Sequence, residues 1–209
     1  MKKLFIKNFS FLILNFIFYG SIKSTLSYQD KVLLYQQNGS LLSFLYSDCE
    51  KATKATLKLD RHTNIDNKNW WLIINPDNVK DKGKIHYEDK VSLILFVENK
   101  KHYLYANKEK TEIKRPNGRV LRYYHEIYTQ AEDYMNTSTC LNWGVFTFIN
   151  PFTHFSKAEI DTNNPITIKY LEEGFQNKIY LTSTIIIDEM PEIWWIIPEQ
   201  EILNTPPPF

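Results

Sequence analysis

Five histidines, two cysteines and 24 carboxylates are the groups in this 209-residue chain whose types could support catalysis or metal binding. His125-Glu126 begins like the zinc motif His-Glu-x-x-His, in which two histidines one helical turn apart face one metal. Thr129, after Tyr128, stands where the second histidine would fall. His62, His86, His102 and His154 have no metal-ligand spacing, so neither a metal nor any other cofactor is expected. Acyl chemistry finds no Gly-x-Ser-x-Gly, and with only six glycines there is no loop to cradle phosphate. Glycoside hydrolysis needs two carboxylates facing one another across a sugar. The acidic pairs Glu132-Asp133, Glu172-Glu173 and Asp188-Glu189 are sequence neighbours, which suits solvated loops. The chain reads as a binding protein and not as an enzyme.

Binding chemistry has better candidates. Trp70, Trp71, Trp143, Trp194 and Trp195 include two doubled pairs, and in a strand neighbouring side chains point to opposite faces. One member of each pair is expected in the core and the other outside, where an indole stacks on a sugar or anchors a protein surface. Trp143 is expected in the core. A second candidate is the basic stretch 107–119, with Lys108, Lys110 and Arg115 followed by Tyr123; it suits a solvated hairpin loop or contact with an anionic surface. Cys49 and Cys140 are 91 residues apart, and in an exported protein such a pair can form one disulfide. Unstrained, that bridge would contribute about 4 to 5 kcal/mol by constraining the unfolded chain.

The elements that must position these residues repeat three times. Asp30-Lys31-Val32-Leu33-Leu34 opens a unit closing on Asn69-Trp70-Trp71-Leu72-Ile73-Ile74-Asn75-Pro76. A second opens at Gly83-Lys84-Ile85-His86-Tyr87-Glu88-Asp89-Lys90-Val91-Ser92-Leu93 and closes on Asn142-Trp143-Gly144-Val145-Phe146-Thr147-Phe148-Ile149-Asn150-Pro151. A third opens at Asn164-Pro165-Ile166 and closes on Trp194-Trp195-Ile196-Ile197-Pro198. Within each unit short apolar runs alternate with turn residues, as in 31–36 and 41–46 around Gln37-Asn38-Gly39-Ser40. The stretch 107–115 is expected as a charged loop and 129–140 as a polar insertion. No core helix is predicted, because no stretch holds enough apolar positions at helical spacing. Three units of about four strands cannot each bury an apolar face alone, and closing them on one another removes the open sheet edges.

The chain begins with Lys2, Lys3 and Lys7, followed by an apolar run over 9–20 and the small residues Ser21, Ser24 and Ser27. That order is expected of a secretory signal peptide, and the run is shorter than the roughly 20 apolar residues that span a bilayer. The expected organisation is a signal peptide over 1–27, one domain over 28–200 and a flexible proline-rich tail over 201–209. Mature protein should start between Ser21 and Gln29. Removing the leader takes away Lys2, Lys3, Lys7 and Lys23 and no acid, so 25 cations against 24 anions become 21 against 24. That balance gives no general attraction for nucleic acid.

The threefold pattern resembles the β-trefoil, and within it the MIR family, whose repeats open on Gly-x-x-hydrophobic-Tyr-Gly-Asp-x-Val-x-Leu and close on Asn-x-x-Trp-x-Ile. Residues 83–93 and 66–73 match those pieces in order, with Glu88 standing where the family has glycine. The Gln-x-Trp of ricin-type lectins, more distant relatives, is absent. The resemblance implies an all-β trefoil that binds a glycan or a protein surface through its loops. Trp70, Trp71, Trp194, Trp195, Lys108, Lys110, Arg115 and Tyr123 are the candidate contacts. The alternatives are a trefoil protease inhibitor, for which Arg115-Pro116 is poorly suited because proline follows the basic residue, and a small secreted hydrolase. Nucleic acid and an integral membrane segment after leader cleavage are not expected.

Overall fold

The computed structural model describes residues 24–38, 41–47, 54–60, 69–97, 99–132, 144–152, 157–162, 164–171, 179–181, 186–188 and 191–203. They form β1 (Lys31–Asn38), β2 (Leu41–Ser47), β3 (Lys54–Asp60), β4 (Trp70–Ile74), β5 (Lys90–Val97), β6 (Lys100–Lys114), β7 (Val120–Ala131), β8 (Phe146–Ile149), β9 (Thr167–Tyr170), β10 (Ile179–Leu181), β11 (Ile186–Asp188) and β12 (Trp195–Pro198), then one short helix, α1 (Glu199–Leu203). The chain is therefore nearly all β, as the alternation of apolar and turn residues predicts.

Six strands close a barrel. β1 pairs with β4, β4 with β5, β5 with β8, β8 with β9 and β12 with β1, and the bridge between Ile166 and Trp194 joins the remaining neighbours. The other six strands form three hairpins, β2–β3, β6–β7 and β10–β11, drawn together where β7 pairs with both β3 and β11. This is the β-trefoil arrangement, each unit giving two barrel strands and one hairpin. Side chains alternate across each strand, so Val32, Leu34, Trp71, Ile73, Val91, Leu93, Phe146, Phe148, Ile166, Ile168, Trp194 and Ile196 fill one continuous interior.

The barrel is tied at one end by a cyclic set of backbone hydrogen bonds. Leu26 N donates to Ile160 O (2.8 Å), Ile160 N to Ile85 O (3.0 Å) and Ile85 N to Leu26 O (2.9 Å). A second cycle runs from Tyr28 N to Gly83 O, Tyr87 N to Ala158 O and Thr162 N to Ser24 O. Leu26, Ile85 and Ile160 are fully buried, so each unit supplies one residue to both the ring and the core beneath it. In the adjoining turns Ser27 N and His86 N each donate to an aspartate three residues on, Asp30 and Asp89, at 2.8 Å. The residues just before those aspartates have positive φ, Gln29 at 74° and Glu88 at 72°. That conformation explains why the MIR pattern has glycine where Glu88 stands.

Four expectations change. Ser24–Ser27 belong to the fold through these rings, so the domain begins at least four residues before the expected boundary at Tyr28. The tail does not start at 201, because Glu201 in α1 accepts hydrogen bonds from Ser24 Oγ and from Thr162 Oγ1. The stretch 107–114 is strand and not loop, since paired backbone carries the charged residues through to Lys114. Finally, the second unit's core plug is Phe146. Val32 pairs with Trp71, Val91 with Phe146 and Ile166 with Trp194, so these three rings are equivalent. Trp143, Cys49 and Cys140 lie outside the described residues.

Candidate functional site

Register decides which indole of each pair faces out. Trp71 and Trp194 have no exposed surface, and each Nε1 donates to the backbone of its own hairpin, Trp71 to Leu45 O (3.2 Å) and Trp194 to Leu181 O (3.0 Å). Both bridge barrel to cap, with the single polar atom of the ring satisfied. They are therefore removed from the candidate contacts. Trp70 and Trp195 remain, on the outer wall and on opposite flanks of β1: Trp70 lies opposite Leu33 and Trp195 opposite Tyr35.

These two indoles are half-buried, packed with Leu42 against a small apolar layer of Leu33, Tyr35, Phe44 and Ile197 that is separate from the barrel interior. Tyr35 and Phe44 meet as tilted rings with centroids 5.9 Å apart. Burial, with the Glu201 charge adding to it, holds the Tyr35 phenol well above its ordinary pKa, so it stays protonated in neutral solution. Ile193, two residues before Trp195, is exposed. On the other face of β1 from Tyr35, Gln36 Nε2 donates to Glu192 Oε2 at 2.8 Å, in a partly buried pair. The wall thus offers two partly exposed indoles, with the exposed Ile193 on the same strand face as Trp195.

The equivalent walls are different. Where unit one has Leu33, unit two has Ser92, whose Oγ donates to Gly144 O (2.8 Å), and unit three has Thr167. Where Trp195 faces Tyr35 across β12 and β1, Leu72 faces Ile94 across β4 and β5, and Thr147 faces Lys169 across β8 and β9. The aromatic wall occurs once, at the junction of units three and one. Leu33, Tyr35, Phe44 and Ile197 were not among the sequence candidates. Their signal was present as unbroken apolar runs in β1 and β12, which leave no polar face for solvent.

The basic candidates gather on a different element. Lys108 and Lys110 lie in β6 and Tyr123 in β7, with side chains outside the described residues, and Arg115 is exposed at the turn between those strands. The structure brings these four to one hairpin. It places the indoles separately, on β4 and β12. Among the described residues no group of three or more His, Cys, Asp or Glu is arranged to hold a metal ion, and no helix is long and apolar enough to cross a membrane.

No family model matches the chain, and no curated protein matches it. Solved structures do. A Caenorhabditis elegans protein described as of unknown function superposes with a TM-score of 0.55 at 14% identity, over 85% of this chain and 98% of that one. The SDF2-like protein from Arabidopsis thaliana superposes with a TM-score of 0.53 at 8% identity, over 83% of this chain and 95% of that one. At such identities the likeness is one of fold: this chain is similar in architecture to an SDF2-like trefoil.

Proposed function

We propose that this protein is an exported, non-enzymatic trefoil of the MIR type that recognises a glycan through the two partly exposed indoles of its outer wall, Trp70 and Trp195, which rest on the buried Tyr35. The observation that carries the reading is the confinement of the aromatic wall to one of three equivalent junctions. Packing of the barrel does not require aromatic rings there, because the equivalent facing pairs at the other two junctions are Leu72 with Ile94 and Thr147 with Lys169. Half-buried indoles are held in place by their neighbours and lose little freedom on binding a sugar face. A protein surface is the second reading, favoured by Ile193, whose 42% exposure extends the wall with an aliphatic group for which a sugar has less use.

A glycan array probed with the parent and with Trp195→Ala tests the site. Binding to a defined set of glycans, lost in the variant with the fold retained, is the expected result. Equal binding by both would remove the wall from the reading. Export is supported by the order of charge, apolar run and small residues over 1–27, and N-terminal sequencing of the secreted protein checks it. Because Ser24 and Leu26 belong to the barrel rings, the mature chain is expected to start within 21–24.

A further inference from the structure

The hairpin of the second unit is far longer than its counterparts. β6 and β7 have 15 and 12 residues, against 7 and 7 for β2 and β3 and 3 and 3 for β10 and β11. Near the barrel, His102 through Ala106 pair with Ala131 through Ile127, and there the hairpin is flanked by β5 and β3. The register then shifts between Ala106 and Lys110, an irregularity of the kind that re-aims a hairpin. Beyond it Lys110–Lys114 pair with Val120–His125, and among the described residues the only other strand reaching this part is β11, at His125. The distal residues form an arm about 17 Å long at 3.4 Å per residue.

Its tip is tightly turned. Arg115 N donates to Arg119 O (2.8 Å), Gly118 N to Arg115 O (2.8 Å) and Arg119 N to Asn117 Oδ1 (3.1 Å), with Gly118 at a φ of 79°. Every residue from Lys114 to Arg119 is exposed. So is Leu121, at 51%, whereas Ile113 and Val120 are half-buried. Residues 107–122 carry six cations, Lys108, Lys110, Lys114, Arg115, Arg119 and Arg122, against Glu109 and Glu112. The chain from Ser24 onward has 21 cations and 24 anions, so with the arm's net +4 set aside the remainder is −7. Lys114 pairs with Glu112, 2.9 Å away, and the two tip arginines, Arg115 and Arg119, are exposed.

We propose that this arm docks the protein on an anionic phospholipid bilayer, Arg115 and Arg119 meeting headgroup oxygens while Leu121 enters the interface. Charge complementarity requires an anionic surface, and the acidic remainder turns the arm toward it. The exposed leucine favours the bilayer over a sulfated glycan, since acyl chains lie just beneath the headgroups, and the acidic remainder disfavours a long polyanion such as nucleic acid. The inference is independent of the indole wall.

The test is co-sedimentation of the full chain with phosphatidylcholine vesicles, with and without phosphatidylserine, comparing arm variants with the parent so that any contribution of residues 1–23 cancels. The parent is expected to bind the serine-containing vesicles more tightly, and less so as salt is raised. Arg115→Ala/Arg119→Ala should weaken that partition roughly 30-fold, about fivefold for each arginine. Leu121→Ser should weaken it by a smaller factor, and Arg115→Lys/Arg119→Lys should retain it with an unchanged melting curve. Equal partition by parent and arginine-to-alanine variant overturns the proposal. So does an outcome in which that variant loses only retention on immobilised heparin, which would make the arm's target a sulfated glycan.

Discussion

The inner and outer layers of the barrel come from the same strands and follow different rules. Inside, the three units agree position by position: Val32, Val91 and Ile166 pair with Trp71, Phe146 and Trp194, and Leu26, Ile85 and Ile160 close the end. Outside, Leu33 lies opposite Trp70 in unit one, while Ser92 and Thr167 stand at the place of Leu33 in the other two and Leu72 and Thr147 at the place of Trp195. Interior close packing punishes any change of volume, and a closed barrel of three units has one shape to fill. The outer layer is also packed, around Leu33, Tyr35 and Phe44, but Trp70 and Trp195 at its surface are only partly buried, so they can serve something other than the fold. A difference confined to that layer therefore points to binding more strongly than any conserved-looking residue inside.

The comparison is broken most easily from the inside. Trp71→Ala removes a fully buried indole and leaves Leu45 O without its donor, so a loss of about 3 to 5 kcal/mol is expected, a large part of a typical domain's stability. Trp195→Ala, on the outer wall, should cost roughly 1 kcal/mol, since the ring is only partly buried. Urea denaturation of the two variants separates the layers. Equal losses would show that the wall is a second core and carries no site.

A somewhat smaller effect is expected at the closed end. Leu26→Ala should destabilise by about 2 to 5 kcal/mol although Leu26 precedes every strand, and a chain beginning at Tyr28 loses both the side chain and its ring hydrogen bonds. Thermal melts of chains starting at Ser24 and at Tyr28 check this. If both melt alike, the ring contributes nothing and the domain boundary returns to Tyr28.

Much of this arrangement was legible in the sequence, and the misreadings have physical causes. Strand order and the threefold followed from apolar alternation and from the repeated Asn-Pro exits at Asn75-Pro76 and Asn150-Pro151. Counting back from those exits reaches Trp71 and Phe146, four residues before each asparagine; attention to the indole type chose Trp143 instead. Alternation shows that the members of a tryptophan pair face opposite ways, yet the inner one is second in Trp70-Trp71 and first in Trp194-Trp195. Only register against β1 and Ile166 resolves that choice. Leu26 looked like the end of a leader because its burial depends on Ile160 and Ile85, distant in sequence. The aromatic wall was half visible: the indoles stood out, whereas Leu33 and Tyr35 read as ordinary strand residues.

A milder change sharpens the inner rule. Glu88 holds a φ of 72° while remaining exposed, and a residue with a Cβ pays for that conformation where glycine does not. Against this, glycine gives the unfolded chain more freedom to lose. Glu88→Gly should therefore stabilise by no more than about 1 kcal/mol, and a rise in the urea midpoint reads it. A fall would mean that the Glu88 side chain contributes more than its backbone costs.

The smallest expected effect concerns pH, at a position where the units differ in a titratable group. Relative to the aligned pairs Tyr35↔Phe44 and Ile94↔Tyr103, His102 of unit two corresponds to Ser43 of unit one. His102 is 4% exposed, and burial, helped by the Lys100 charge, holds its imidazole below the ordinary pKa. The folded protein thus favours neutral His102, while the unfolded chain takes up a proton near the ordinary value of about 6.5. The stability is fully present above that value and declines as pH falls from it toward the depressed folded value, because the unfolded state then binds more protons. Melting temperatures from pH 8 to pH 5 should accordingly fall more steeply for the parent than for His102→Ser, which places the unit-one residue in unit two. Parallel curves would show that the imidazole charges without cost, and that this part of the hairpin is as open to water as the outer wall of the barrel.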